Sequence, residues 1–184
     1  MNMSTTELIA AIAIVAILAA CLATLIFLRK RRTGRLRSQF GGAEYDHAVE
    51  LGRNRRHGEA DLAKRGARVE SFDLQPLTPA DRTRFEDSWR RLQVRFVDSP
   101  ASAVVEADQL LRDVMSTRGY PASDFEQLAA DISVDHPMVI KNYRTAHEIA
   151  FRQGKEQAGT EDLRQAMIHY RTLFGELASQ QIAT

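Results

Sequence analysis

One cysteine in 184 residues, Cys21, excludes an intrachain disulfide and any thiolate metal cluster. The chain also lacks the signatures that announce chemistry. It has no glycine-rich phosphate loop, no nucleophile elbow, no dinucleotide fingerprint and no pair of histidines four apart around a glutamate. Asn142-Tyr143-Arg144 has no hydroxyl at its third place, so it is no glycosylation acceptor. No run reads as a strand, and no repeat or low-complexity segment stands out. The first seven residues hold no lysine or arginine.

What is present begins with an apolar run of 21 residues bounded by Leu8 and Leu28, in which Thr24 is the only polar side chain. At about 1.5 Å per residue, such a helix matches a hydrocarbon core about 30 Å thick. A hydroxyl at Thr24 can bond its own helix backbone, as a lipid interior demands. Arg29, Lys30, Arg31 and Arg32 follow at once, then Arg35 and Arg37. Basic flanks stay on the cytoplasmic side, so the expectation is a single-pass span in the plasma (inner) membrane, N-terminus outside and the C-terminal domain cytoplasmic. A cleaved signal peptide would carry its charge before the apolar region. Leu18-Ala19-Ala20-Cys21 has the look of a lipobox, but the apolar run continues beyond the cysteine, and Cys21 reads as an ordinary buried thiol.

The formal net charge of +1 hides a division, with residues 29–70 at +6 and residues 71–184 at −4. The basic collar (Arg29, Lys30, Arg31, Arg32, Arg35, Arg37) is expected to meet anionic lipid headgroups, worth about 1 kcal/mol per residue near a membrane surface. The acidic balance of the larger part argues against nucleic acid, whose phosphates demand a basic face. Residues 1–28 are thus an N-terminal segment and anchor, and residues 29–75 a basic linker. The linker is helix-prone but its apolar residues are small and sparse, and Gly52, Gly58 and Gly66 each weaken a helix by about 1 kcal/mol relative to alanine. It reads as a charged, partly helical stalk without a coiled-coil seam, because Arg53, Arg55 and Arg56 interrupt one.

Residues 76–180 read as an all-α bundle of about five helices. Thr78-Pro79 is a helix start, with apolar positions at Phe85, Trp89, Leu92 and Phe96. Asp98-Ser99-Pro100 ends that helix and opens one carrying Val104, Ala107, Leu111, Val114 and Met115. Gly119 suits a left-handed cap before Tyr120-Pro121. Ser123-Asp124-Phe125-Glu126 resembles a capping box, with Phe125, Leu128, Ala129 and Ile132 inward. Asp135-His136-Pro137 is expected to open the next helix, with Asp135 as its cap and Val139, Ile140, Tyr143, Ala146, His147 and Ala150 along one side. Thr160-Glu161-Asp162 opens the last, whose inward set is Leu163, Ala166, Met167, Tyr170, Phe174 and Leu177.

The sharpest candidate for chemistry is the cluster Asp131, Asp135, His136, with His147 further along. Two carboxylates beside an imidazole could bind a divalent ion or transfer a proton. Helix caps use the same residue types, and His136 and His147 lie about 16 Å apart along a helix, too far to share one metal. No catalytic residue, cofactor or metal is therefore assigned.

Six segments together carry a resemblance: Phe96-Val97-Asp98-Ser99-Pro100, Arg118-Gly119-Tyr120-Pro121, Asp124-Phe125-Glu126-Gln127, Ser133-Val134-Asp135-His136-Pro137, Asn142-Tyr143-Arg144 and Thr160-Glu161-Asp162-Leu163-Arg164-Gln165-Ala166-Met167. With them, most of residues 75–180 resembles a family of bacterial single-pass membrane-anchored proteins with a small helical C-terminal domain and no assigned activity. The resemblance implies the architecture and no mechanism. The functional expectation is a membrane-tethered protein-interaction or scaffolding module for a protein partner, with residues 131–136, Arg90-Arg91 and residues 153–159 as surface candidates. A small-ligand or metal-dependent enzyme or sensor built on Asp131, Asp135, His136 and His147 is the alternative, and self-association is a third.

Overall fold

The computed structural model describes residues 5–155 and 157–179, with side chains described for residues 17–178 other than Arg29 and Glu156. Among the described residues there are eight helices and no strand. The chain is all-α, as the periodicity predicts.

α1 (Thr5–Gln39) is one helix of 35 residues. It carries the apolar run into the basic collar without a break. Thr24 Oγ1 donates to the Ala20 carbonyl at 2.8 Å, the internal bond expected of it. Among the described residues no helix is long and apolar enough to cross a membrane. The first part of the expected span, from Leu8 through residue 16, lies outside the described side chains, as does Arg29.

The segment expected as a stalk is folded. α2 (Gly41–Leu51) and α3 (Arg55–Glu70) form a helical hairpin, with Asn54 as N-cap accepting from the His57 N–H at 3.0 Å. Leu36 from the end of α1 and Phe40 just beyond it join Tyr45, Ala48 and Leu62 in a small apolar cluster of their own. Gly58 makes this possible: a Cβ there would lie 2.6 Å from Val49 Cα and 2.7 Å from the Ala48 carbonyl oxygen. The glycine that weakens α3 is what lets α2 and α3 touch backbone to backbone.

The bundle follows in the expected order: α4 (Pro79–Asp98), α5 (Pro100–Thr117), α6 (Phe125–Asp135), α7 (Ile140–Gln153) and α8 (Thr160–Ser179). Thr78 caps α4, accepting from the Asp81 N–H at 3.1 Å. The inward sets predicted for α5 and α8 are all buried, and Trp89 stacks on Phe174 with ring centroids 5.0 Å apart. Burying each such leucine or aromatic contributes about 1.5–3 kcal/mol. Gly119 has φ +98, and a Cβ there would meet the Asp73 carbonyl oxygen at 2.4 Å. The strap of residues 72–78 therefore lies directly on this turn, where the Gln75 N–H donates to the Arg118 carbonyl at 2.8 Å.

Two helix starts differ from expectation. Asp124, not Ser123, caps α6, accepting from the Gln127 N–H at 2.8 Å, and the capping box does not form. Asp135 caps nothing: it is the last residue of α6, and α7 begins at Ile140 after a turn through Pro137 and Met138. Proline fixes φ at a helix start but does not require one. Here the chain spends three residues turning before α7 can begin.

Candidate functional site

The most heavily built polar region is the seam where the α2–α3 hairpin meets α6 and α7. Glu44, on the first turn of α2, is buried, with its side chain only 1% exposed. Arg65 of α3 donates to its Oε1 at 2.8 Å. Arg144 of α7 grips the same carboxylate with both terminal nitrogens, Nη2 at 3.0 Å from Oε1 and Nη1 on Oε2. A second ion pair lies along the same seam. Asp131 of α6 is fully buried and accepts from Arg68 Nε at 3.1 and 3.2 Å and from Gln127 Nε2 at 2.8 Å. Each buried carboxylate thus has its charge matched and its lone pairs occupied, the condition under which a buried ion pair is tolerated. Clefts of about 280 Å³ beside Glu44 and about 430 Å³ between α3 and α6 flank the two pairs.

The expected cluster does not converge. Asp131 faces Arg68 across the seam. Asp135 accepts from Tyr120 Oη at 3.1 Å. His136 is buried, its Nδ1 facing the Glu176 carboxylate of α8 at 3.6 Å. Burial first, and then the nearby Arg118 guanidinium, hold its imidazole below the usual pKa, against the opposing pull of Asp135 and Glu176. Arg118, also buried, spans to α8 and donates to the Leu177 carbonyl at 3.1 Å. Most of residues 131–136 is interior, with Asp131, Ile132, Ser133 and His136 buried, Val134 half-buried and Asp135 exposed. Arg90 is exposed and pairs with Asp87 at 3.0 Å.

His147 belongs to a different group, one that the sequence reading missed. Its ring stacks on Phe125 at 3.5 Å and 5°, and its Nδ1 lies 3.6 Å from Asp108 of α5. Asp108 also accepts from Arg112 Nε at 2.9 Å and Tyr170 Oη at 3.1 Å. Burial would raise the Asp108 carboxyl, but the adjacent His147 and the hydrogen-bonded Arg112 outweigh it and hold the group below its usual value. Burial, with Asp108 next, pushes the Tyr143 and Tyr170 phenols well above theirs. Asp108 falls four residues after Val104 and three before Leu111, a carboxylate set into an apolar stripe. That was the available signal.

Among the described residues no group of three or more histidine, cysteine, aspartate or glutamate side chains could hold a metal ion. In the collar, Arg31, Arg32, Arg35 and Arg37 are exposed, as is Lys30. The Arg31 guanidinium lies over the Phe27 ring at 5.0 Å, and Arg37 pairs with Asp46 at 3.7 Å. No family model, curated protein or solved structure matches this chain.

Proposed function

We propose that the protein is a single-pass membrane protein whose helical domain is a protein-interaction or scaffolding module held rigidly to its anchor. The observation that carries this reading is α1 itself. One helix of 35 residues contains the whole apolar run and the collar, and its end is joined to the folded domain through buried Leu36 and, just beyond the helix, buried Phe40. A flexible tether would leave that junction exposed.

The described part of the run supports the anchor. Ile17, Leu18, Leu22, Leu25, Ile26, Phe27 and Leu28 are each more than half exposed, so the helix presents apolar side chains with no protein covering them. Water is a poor solvent for such a helix and lipid a good one. The asymmetric charge supports an orientation with the N-terminus outside a bacterial inner membrane and the domain on its cytoplasmic side, in keeping with the family resemblance. For the interaction role, the support is a bundle whose polar clusters knit helices together, Glu44 tying α2 to α3 and α7 and Asp131 tying α6 to α3. A shallow groove of about 190 Å³ between α4 and α8 combines Trp89, Phe96, Met167 and Ile168 with the Arg164 and Arg171 guanidiniums. Its chemistry suits an acidic amphipathic segment of a partner protein.

In-cell crosslinking of the full-length protein, with identification of the captured partner, tests the role. Reproducible capture of a defined protein that is lost with Ile168→Asp, at an exposed position of the groove, supports it. Turnover of a metabolite by the purified protein, without any captured partner, overturns it. A C-terminal reporter active only outside the cytoplasm should stay silent.

A further inference from the structure

The hairpin returns the chain to the level of the collar. Gly41, with φ +66, reverses the chain after α1, and Arg37 then lies beside both Asp46, at 3.7 Å, and the Tyr45 ring, at 5.8 Å. α2 therefore runs back along α1. Its 11 residues rise about 16 Å, matching the rise of α1 from residue 29 to residue 39. α3 runs parallel to α1: Thr33 Oγ1 donates to Glu59 at 2.7 Å, while Leu36 and Phe40 share a cluster with Leu62. Arg55, one turn before Glu59, sits at the level of the first collar residues. The α2–α3 turn, residues 51–54, lies there too.

The side chains of that turn suit a bilayer surface. Leu51 is 64% exposed. Arg53, Arg55 and Arg56 are exposed, and Arg53 holds φ +57, a conformation that non-glycine residues rarely adopt. Arg55 pairs with Glu59 at 3.4 Å, whereas Arg53 and Arg56 enter no ion pair among the described residues.

We propose that residues 51–56 form a second membrane contact, with Leu51 seated at the headgroup boundary and Arg53, Arg55 and Arg56 joining Lys30, Arg31 and Arg32 in binding anionic phospholipid headgroups. Two contacts at one level, the span and the turn, fix the orientation of the whole domain against the bilayer. The inference rests on the proposed span at residues 8–28.

The test uses the full chain in vesicles of phosphatidylcholine alone or with phosphatidylglycerol. An environment-sensitive label is placed on native Cys21, or on Leu51→Cys in a Cys21→Ser background, and quenched by spin-labelled lipid. Quenching at position 21 in both lipids, and at position 51 only with phosphatidylglycerol, is the expected result. Arg53→Gln and Arg56→Gln should each lower the docked-to-undocked ratio at position 51 about fivefold. A label at position 51 that stays in water in both lipids overturns the inference and leaves the span standing. Equal quenching in both lipids, unchanged by the arginine variants, overturns the anionic-headgroup contact. A label at position 21 that is not quenched overturns span and inference together.

Discussion

Arg144 of α7 closes a two-pronged ion pair on Glu44 of α2, one hundred positions away in the chain, with Nη2 at 3.0 Å from Oε1. That contact and the Arg68–Asp131 pair make the α2–α3 hairpin part of the same folded body as the bundle. A force or tilt applied to α1 is therefore felt at α6 and α7.

Glu44→Gln should leave Arg144 in the seam without its counter-charge, while Arg65 keeps Asp61 at 2.6 Å. Breaking a buried pair by removing one partner costs about 3–5 kcal/mol. Hydrogen exchange should quicken in α2 and α3 while α4, α5 and α8 keep their protection. Arg144→Gln added to Glu44→Gln should cost less than the sum of the two single changes, which a double-mutant cycle would measure.

Two glycines of α3 should respond oppositely to alanine. At Gly58 the added Cβ meets Val49 Cα at 2.6 Å, so the hairpin must open, at about 1–3 kcal/mol. At Gly66 nothing lies within 4 Å, and alanine should stabilise the helix by up to about 1 kcal/mol. Chemical denaturation of the two variants decides the matter, and equal effects would contradict the close approach.

Stability should fall on mild acidification because of His136. Its folded pKa lies below the usual value, so below about pH 6.5 the unfolded chain takes up a proton that the folded one refuses. The loss grows until the pH reaches the lowered folded value and is constant beyond it. His136→Asn should remove this slope even if it lowers stability overall. Thermal unfolding between neutral and mildly acidic pH, compared with the parent, reads it directly.

A separate loss is expected in stronger acid from Asp108, whose folded pKa is also lowered but whose charged form is the favoured one. Its contribution is present above the usual aspartate value and disappears as the pH falls through the lower folded value. Asp108→Asn should abolish this component and, by leaving Arg112 and Tyr170 without the carboxylate, cost about 1–3 kcal/mol at neutral pH. Denaturation midpoints recorded across the acid range would separate it from the His136 effect.

Helix identity was legible because it depends on local pattern. Thr78-Pro79 starts α4, Gly119 takes the left-handed turn, and the inward faces of α5 and α8 follow the spacing of their apolar residues. Asp135 differs because a carboxylate two residues before a proline looks like a cap whether or not a helix begins there. The backbone turn through Met138 and the waiting Tyr120 hydroxyl decided otherwise. The folding of the linker was also hidden. Its apolar residues are few, and what holds it is a pair of buried carboxylates whose arginine partners lie up to one hundred positions away.

Charge asymmetry, the apolar run and the all-α pattern are properties of neighbours in the chain, and the amino-acid order alone determines them. Which carboxylate meets which arginine is different. Glu44 and Asp131 carry the same group as a dozen exposed acids, and only packing removes water from these two and makes their partners indispensable. The same packing sends His136 to Glu176 and His147 to Asp108, dividing a cluster that looks contiguous in one dimension, because a helix turns successive residues toward different neighbours.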